Sequence, residues 1–140
     1  MRGISPERAL EIYRGNVENN PQAAPFLLMI GDDKAEPWLI TDEFHEVDFP
    51  DLVAEVIPPF PLVQVVFSVE AVALIADSRT LIDAASIYAA GGGMDFHLVA
   101  PFVRGDDGVQ WRDAEVQVGP ALENNLIVVA LRDLVERSNA

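Results

Sequence analysis

The chain has 140 residues, half of them hydrophobic, enough to bury one core without metals or disulfides but few for two domains. It contains no cysteine, which excludes disulfides, thiolate metal centres and thiol nucleophiles together. Twenty-three acids against nine bases give a net charge of −14, a field that repels phosphate backbones and argues against nucleic-acid binding.

The first element in chain order is a helix. Ser5 is a good N-cap, Pro6 fits the first helical position, and Glu7 suits the positive end of the helix dipole. Leu10, Tyr13 and Val17, joined by Ile12, make an apolar stripe, with Glu11, Arg14 and Glu18 outside it. Asn19-Asn20-Pro21 ends the helix. Two short apolar runs follow, 26–30 and 37–41, joined by Gly-Asp-Asp-Lys-Ala-Glu. They read as a hairpin whose second strand, because of Pro37, lies at an edge or begins there.

The charge is concentrated between 32 and 55. Nine acids and one base, Lys34, put −8 of the total into 24 residues. A short helix is predicted from Pro50 to Val56. Pro58-Pro59-Phe60-Pro61 then forbids regular structure and delivers an extended chain into the longest nearly uncharged run, 62–77.

In that run Val63, Val65, Phe67, Val69, Ala71, Ala73 and Ile75 alternate with a more polar set that includes Gln64, Ser68 and Glu70. The first half favours a strand, and the second suits a helix as well. One straight strand would reach about 50 Å, against a radius of gyration of roughly 14 Å for a domain of this size. A bend, bulge or change of type is therefore expected near 68–71.

Thr80 and Asp83 have capping-box spacing, and the alanine-rich sequence after them predicts a helix to Tyr88 or Ala90, ended by glycines. Segments 96–104 and 109–118 read as a hairpin about Gly105-Asp106-Asp107-Gly108. A last helix is expected from Gly119-Pro120, with Leu122, Leu126, Val129, Ala130 and Leu134 facing the core. The fold class that results is α+β: one domain over 1–140, a largely antiparallel sheet of about five strands, and an N-terminal and a C-terminal helix packed on it.

Few residues suggest chemistry. Glu70, alone in an apolar run, is the candidate general acid or base, since a partly desolvated carboxylate titrates high. The alternative is a solvent-facing Glu70 paired with Arg79, Arg104 or Arg112. His45, Glu46 and Asp48, with Asp95 and His97, are the candidate metal ligands. Imidazoles and carboxylates suit zinc, manganese or iron, but the spacing matches no helix-borne motif. Gly91-Gly92-Gly93 lacks the lysine and following helix of a phosphate loop. Arg104-Gly105-Asp106, the tripeptide of integrin ligands, falls in a hairpin turn. Trp38, Trp111, Phe60 and Phe102 are aromatic candidates for partner contact or for the rim of the core.

The expectation is a non-catalytic interaction or assembly protein without a cofactor. It faces a basic protein partner through Asp32, Asp33, Glu36, Trp38, Asp42, Glu43, Glu46 and Asp48, and it self-associates. With neither a basic-then-apolar leader nor an apolar run of the ~20 residues a membrane helix needs, a cytoplasmic location is expected. Two alternatives stand beside it: a metal-dependent or carboxylate-based enzyme using His45, Asp48, Asp95, His97 and Glu70, and a small-molecule binding domain with its cavity near Glu70.

Overall fold

The computed structural model describes residues 3–19, 25–40, 45–75 and 80–140. Its helices are α1 (Pro6–Asn19), α2 (Phe49–Ala54) and α3 (Leu126–Ser138). Its strands are β1 (Phe26–Ile30), β2 (Ala35–Leu39), β3 (Gln64–Ile75), β4 (Thr80–Gly91), β5 (Phe96–Gly105), β6 (Gly108–Trp111) and β7 (Glu115–Val118). All pairings are antiparallel, in the order β2-β1-β3-β4-β5-β6, and β7 pairs with β5 beyond the end of β6. The class is α+β, with an N-terminal and a C-terminal helix on one open sheet.

The uncharged run does not bend at Ser68 to Ala71. β3 pairs with β4 through twelve consecutive residues, Gln64 with Gly91 to Ile75 with Thr80, without a bulge. At ~3.3 Å per residue that is about 40 Å, roughly the width of the whole domain, and the strand fits because its far end projects. β1 accompanies β3 only from Gln64 to Ser68, and β5 accompanies β4 only from Asp83 to Ala89.

The helix expected over 80–90 is instead β4. Alanine suits a helix, but tertiary pairing overrides that preference when both neighbours in the sheet are present. With β5 on one side and β3 on the other, Ala84, Ala85, Ala89 and Ala90 are fully buried, and their small side chains let helices approach closely. This strand, and the division of the expected last strand into β6 and β7 at Arg112–Ala114, raises the count from five strands to seven.

Both faces of the sheet are covered near its centre. On the first face Leu27, Met29, Val65, Phe67, Tyr88 and Ala90 pack with Phe49 and Val53 of α2 and with Ile127, Val128, Leu131 and Leu134 of α3. On the second, Phe26, Val66, Ala85, Ile87, Ala89 and Phe102 pack with Ala9, Leu10, Tyr13 and Val17 of α1. β3 therefore lacks simple polar alternation because residues 64–68 are buried on both sides.

Specific bonds fasten each helix. Ser5 Oγ accepts from Arg8 N at 3.1 Å, as expected of an N-cap. Gln64, 1 % exposed, pairs with the backbone of Ile4 just before α1: Oε1 accepts from Ile4 N at 2.7 Å and Nε2 donates to Ile4 O at 3.0 Å. α3 starts later than expected. Gly119–Leu122 is a 3-10 turn, and Asn125 is the true N-cap, accepting from Val128 N at 3.1 Å. Along it Ile127, Val128, Ala130, Leu131 and Leu134 are buried, whereas Leu126, expected in the core, is exposed. At its other end Arg137 donates to Val56 O (2.7 Å) and Val53 O (3.0 Å), satisfying carbonyls at the C-terminal end of α2. Leu62 N donates to Ser138 Oγ at 2.9 Å.

The β4–β5 turn needs its first glycine for space as well as for backbone angle. Gly91 has φ +92°, and a Cβ there would lie 2.3 Å from Val63 O and 3.1 Å from Gln64 Cα. Gly93 has φ +84° with nothing within 4 Å of the same position. Gly93→Ala should cost about 1–2 kcal/mol for the left-handed backbone alone, whereas Gly91→Ala should cost about 3 kcal/mol or more because the main chain of β3 must also shift. Urea unfolding of the two variants side by side checks the difference.

Candidate functional site

Glu70 and Asp83 lie on the second face of the sheet, beyond the residues that α1 covers. The chain returns Arg104 of β5 between them. Arg104 donates to Glu70 Oε1 at 2.6 Å and to Asp83 Oδ2 at 3.1 Å, with its guanidinium 4.9 Å from the Phe102 ring. The hydrogen bond it donates to Glu70 is the leading reason that this guanidinium is held even more firmly charged than usual. Tyr13 of α1 is buried beside the group. Burial first, and then the charge of Glu70, raises its phenol well above the ordinary range, so it stays a neutral hydroxyl. Glu70 is thus an exposed carboxylate held in an ion trio, which is the paired alternative and not the desolvated acid. The trio also withdraws Arg104 from presentation as part of an Arg-Gly-Asp turn.

The candidate metal ligands do not meet. His45, just before the 3-10 turn Glu46–Asp48 that precedes α2, and Asp48, the last residue of that turn, are both exposed. Asp95 closes the β4–β5 turn: Oδ1 accepts from Gly91 N at 2.9 Å, and Oδ2 takes Arg132 of α3, whose Nε lies at 3.0 Å. His97 stacks on Tyr88 with ring centroids 4.0 Å apart. Among the described residues no three histidines and acids gather where they could hold one ion. The glycine run is committed to the turn: Gly91 N donates to Asp95 and Gly92 N to Val63 O (2.9 Å), so these N–H groups are not offered to a phosphate.

One pair was not foreseen. Ser86, 4 % exposed, and His97 Nε2 share a hydrogen bond of 3.0 Å. They lie on adjacent strands and the same face, a relation visible only once 80–91 is a strand; the helix reading hid it. Burial pushes the imidazole below its ordinary pKa, so the ring is neutral at pH 7. A serine beside a neutral histidine is half of a nucleophilic set. Here the flat sheet face supplies no turn from which N–H groups converge on an oxyanion, and no carboxylate among the described hydrogen bonds orients the ring. The bond satisfies a buried hydroxyl.

The described acids of the segment 32–55 fall in two places, the edge strand β2 with the turn before it and the region of α2. Asp32 and Asp33 are exposed in the β1–β2 turn, and Glu36 is exposed on β2. Asp48, Asp51 and Glu55 are exposed in the 3-10 turn and on and just after α2, which shares a core cluster with β1. Glu46 opens the 3-10 turn, and Asp42 and Glu43 lie outside the described residues. Trp38 is 37 % exposed and Leu39 59 % exposed on β2, every residue of which is open to solvent.

β2 has a particular hydrogen-bonding edge. Gly31 N donates to Lys34 O (2.8 Å) and Ile40 N to Pro25 O (2.9 Å), so even-numbered β2 residues turn their backbone groups toward β1. Ala35, Pro37 and Leu39 turn theirs outward. The outer edge carries three carbonyls but only two N–H groups, because Pro37 has none. Proline there costs no internal bond, hinders ladder formation with another strand, and leaves the edge rich in acceptors.

The other aromatic candidates belong to the structure. Phe102 is fully buried, and Trp111 lies against it at 4.7 Å, under Arg14 at 5.0 Å, donating from Nε1 to Glu18 at 3.1 Å. Phe60 covers Gly31, with Lys34 Nζ 5.1 Å from its ring. The space between sheet and α3 expected to hold a cavity near Glu70 is filled by the core of the first face. A cleft of about 480 Å³ opens instead at the Gln64 end of β3, lined by Asp32, Pro61, Leu62, Val63, Gly92, Gly93 and Asn139.

Comparison with known proteins finds no matching family model, no similar curated protein and no similar solved structure.

The state of His97 predicts a pH dependence of stability. Its folded pKa lies below the ~6.5 of the unfolded chain, so the stability it contributes is full above the unfolded value and is lost as pH falls from there through the lower folded value. Thermal unfolding between about pH 7.5 and 5.5 should show Tm falling with pH, and His97→Gln, which does not titrate, should flatten the dependence over that window.

Proposed function

We propose that this protein is a non-catalytic interaction and assembly module of the cytoplasm, whose acidic β2 edge receives an arginine- or lysine-rich segment of a protein partner. The observation that carries the reading is the composition of that edge. Asp32, Asp33 and Glu36 stand beside an outward row of three carbonyls and two N–H groups, with Trp38 exposed next to them. Acceptors in excess, negative charge and an exposed indole suit guanidinium and ammonium groups, which donate hydrogen bonds and stack on aromatic faces. Pro37 favours recognition by the partner's side chains over addition of a full strand. The same charge turns away nucleic acids and speeds the approach of a basic protein. None of the described helices is long and apolar enough to cross a membrane.

The test is a titration of a fluorescent arginine-rich peptide, with a scrambled acidic peptide as control, followed by anisotropy. Wild type should bind the basic peptide, with affinity falling as salt rises. Combining Asp32→Asn, Asp33→Asn and Glu36→Gln should weaken binding at least about tenfold at low salt, and Trp38→Ala should weaken it further with little salt dependence. Equal binding by wild type and the neutralised variant, or no binding at low salt, overturns the reading.

A further inference from the structure

We infer that the cleft at the Gln64 end of β3 is a pocket for an arginine side chain of the basic partner segment. The inference deepens the function proposed above and rests on it for the partner, while the cleft can be tested with arginine alone. Ile30 and Gly91 both pair with Gln64, so the turn after β1, the chain entering β3 and the turn after β4 meet at one end of the sheet. Asn139, just after α3, closes the group by donating from Nδ2 to Leu62 O at 2.8 Å. Between these pieces lies the space of about 480 Å³, room enough for a long side chain. Its walls are fastened to the sheet and to α3. Val63 N donates to Ile30 O at 2.7 Å, Gly92 N to Val63 O at 2.9 Å, and Leu62 N to Ser138 Oγ at 2.9 Å. The space is thus formed before a ligand arrives, and little ordering is needed to fill it.

The same bonds decide what fits. They use the N–H groups of Leu62, Val63 and Gly92, and Pro61 has none. The Asn139 amide donates to Leu62 O and to Val135 O, each at 2.8 Å. The lining is therefore poor in donors. What it offers is acceptors: the Asp32 carboxylate, Asn139 Oδ1 and main-chain carbonyls, bared at Gly92 and Gly93 by the lack of a side chain. Among the described residues that line it, Asp32 alone is charged. An anion finds few donors and no cation on these walls, in a chain of −14. A guanidinium carries five N–H donors in a planar fork and no acceptor, which is the complement of such a lining. A carboxylate has about four acceptor sites, so Asp32 can take that fork beside any other bond it makes. Asp32 also stands in the acidic turn before β2, so a basic segment on that edge brings its side chains to the mouth of the cleft.

Titration of the isotope-labelled full chain with N-acetylarginine amide, followed by the amide signals of Gly92, Gly93 and Asn139, tests the cleft. These signals should shift and saturate, whereas N-acetylglutamine amide at the same concentrations should leave them in place. Gly93 offers a second measurement, because nothing lies within 4 Å of where its Cβ would stand and asparagine tolerates its left-handed backbone. Gly93→Asn sets a neutral side chain on the cleft wall, and should weaken the arginine-rich peptide at least about tenfold with circular dichroism unchanged. Absence of shifts at the cleft, or equal shifts with the glutamine compound, overturns the pocket. So does a folded Gly93→Asn variant that binds the peptide as wild type does. In those cases the edge reading still stands if neutralising its acids abolishes peptide binding. Saturable shifts at the cleft in a chain that does not bind the peptide keep the arginine pocket and overturn the edge. The titration uses the unaltered chain, so it decides the matter even where Gly93→Asn unfolds.

Discussion

The ladder between β3 and β4 is the constraint from which the remaining structure follows. Twelve paired residues fix which side chains of each strand face which helix, and a slip of one residue would exchange the two cores. Val65 and Phe67 would then lie under α1, and Gln64 would lose Ile4. The first five residues of β3 are buried on both faces, so register is set most firmly there. Alanines on β4 keep both layers close, and Gly91 allows the ladder to end against the main chain of β3.

Charge in this molecule is divided by task. Arg104 of β5 is tied to β3 through Glu70 and to β4 through Asp83, Arg132 ties α3 to the β4–β5 turn, and Arg137 closes the end of α2. Arg14 packs over Trp111 and Lys34 beside Phe60. These cations hold the fold together, while the acids of the β2 edge and α2 face water. Three of those acids, Asp32, Asp33 and Glu36, stand on or just before the edge strand β2, and exposed acids also lie on α1, in the β5–β6 turn and on α3.

Much of this was legible in the residues, and the rest was hidden for identifiable reasons. Ser5-Pro6 and the Leu10, Tyr13, Val17 stripe give α1, the proline corner gives the gap before β3, and Gly105-Asp106-Asp107-Gly108 gives the β5–β6 turn. β4 was misread because alanine carries helix preference on its own, and only burial between two strands makes it a strand residue. The start of α3 was set too early because Gly119-Pro120 looks like a helix opening, when the capping side chain is Asn125. Of the candidate chemistry, the run of acids could be read directly, while Trp38 was left between partner contact and the rim of the core until its exposure on β2 was seen. Arg104 stood among three arginines named as partners for Glu70, and only the fold selects it, 34 residues away; Ser86 lies on the strand read as a helix, so its bond to His97 was beyond local pattern.

The bonds that close the two faces span long stretches of chain: 60 residues from Ile4 to Gln64, 76 from Leu62 to Ser138 and 81 from Val56 to Arg137. The β3–β4 hairpin, by contrast, is local and can form early. On a ribosome the central ladder and α1 exist well before α3 has been made, so for that interval Val65, Phe67 and Tyr88 have no helix over them. The apolar first face is then open to other nascent chains, and a shield such as a holding chaperone would matter most between synthesis of β5 and synthesis of α3. Once Arg137 and Ser138 arrive, the last helix closes that face and the window ends.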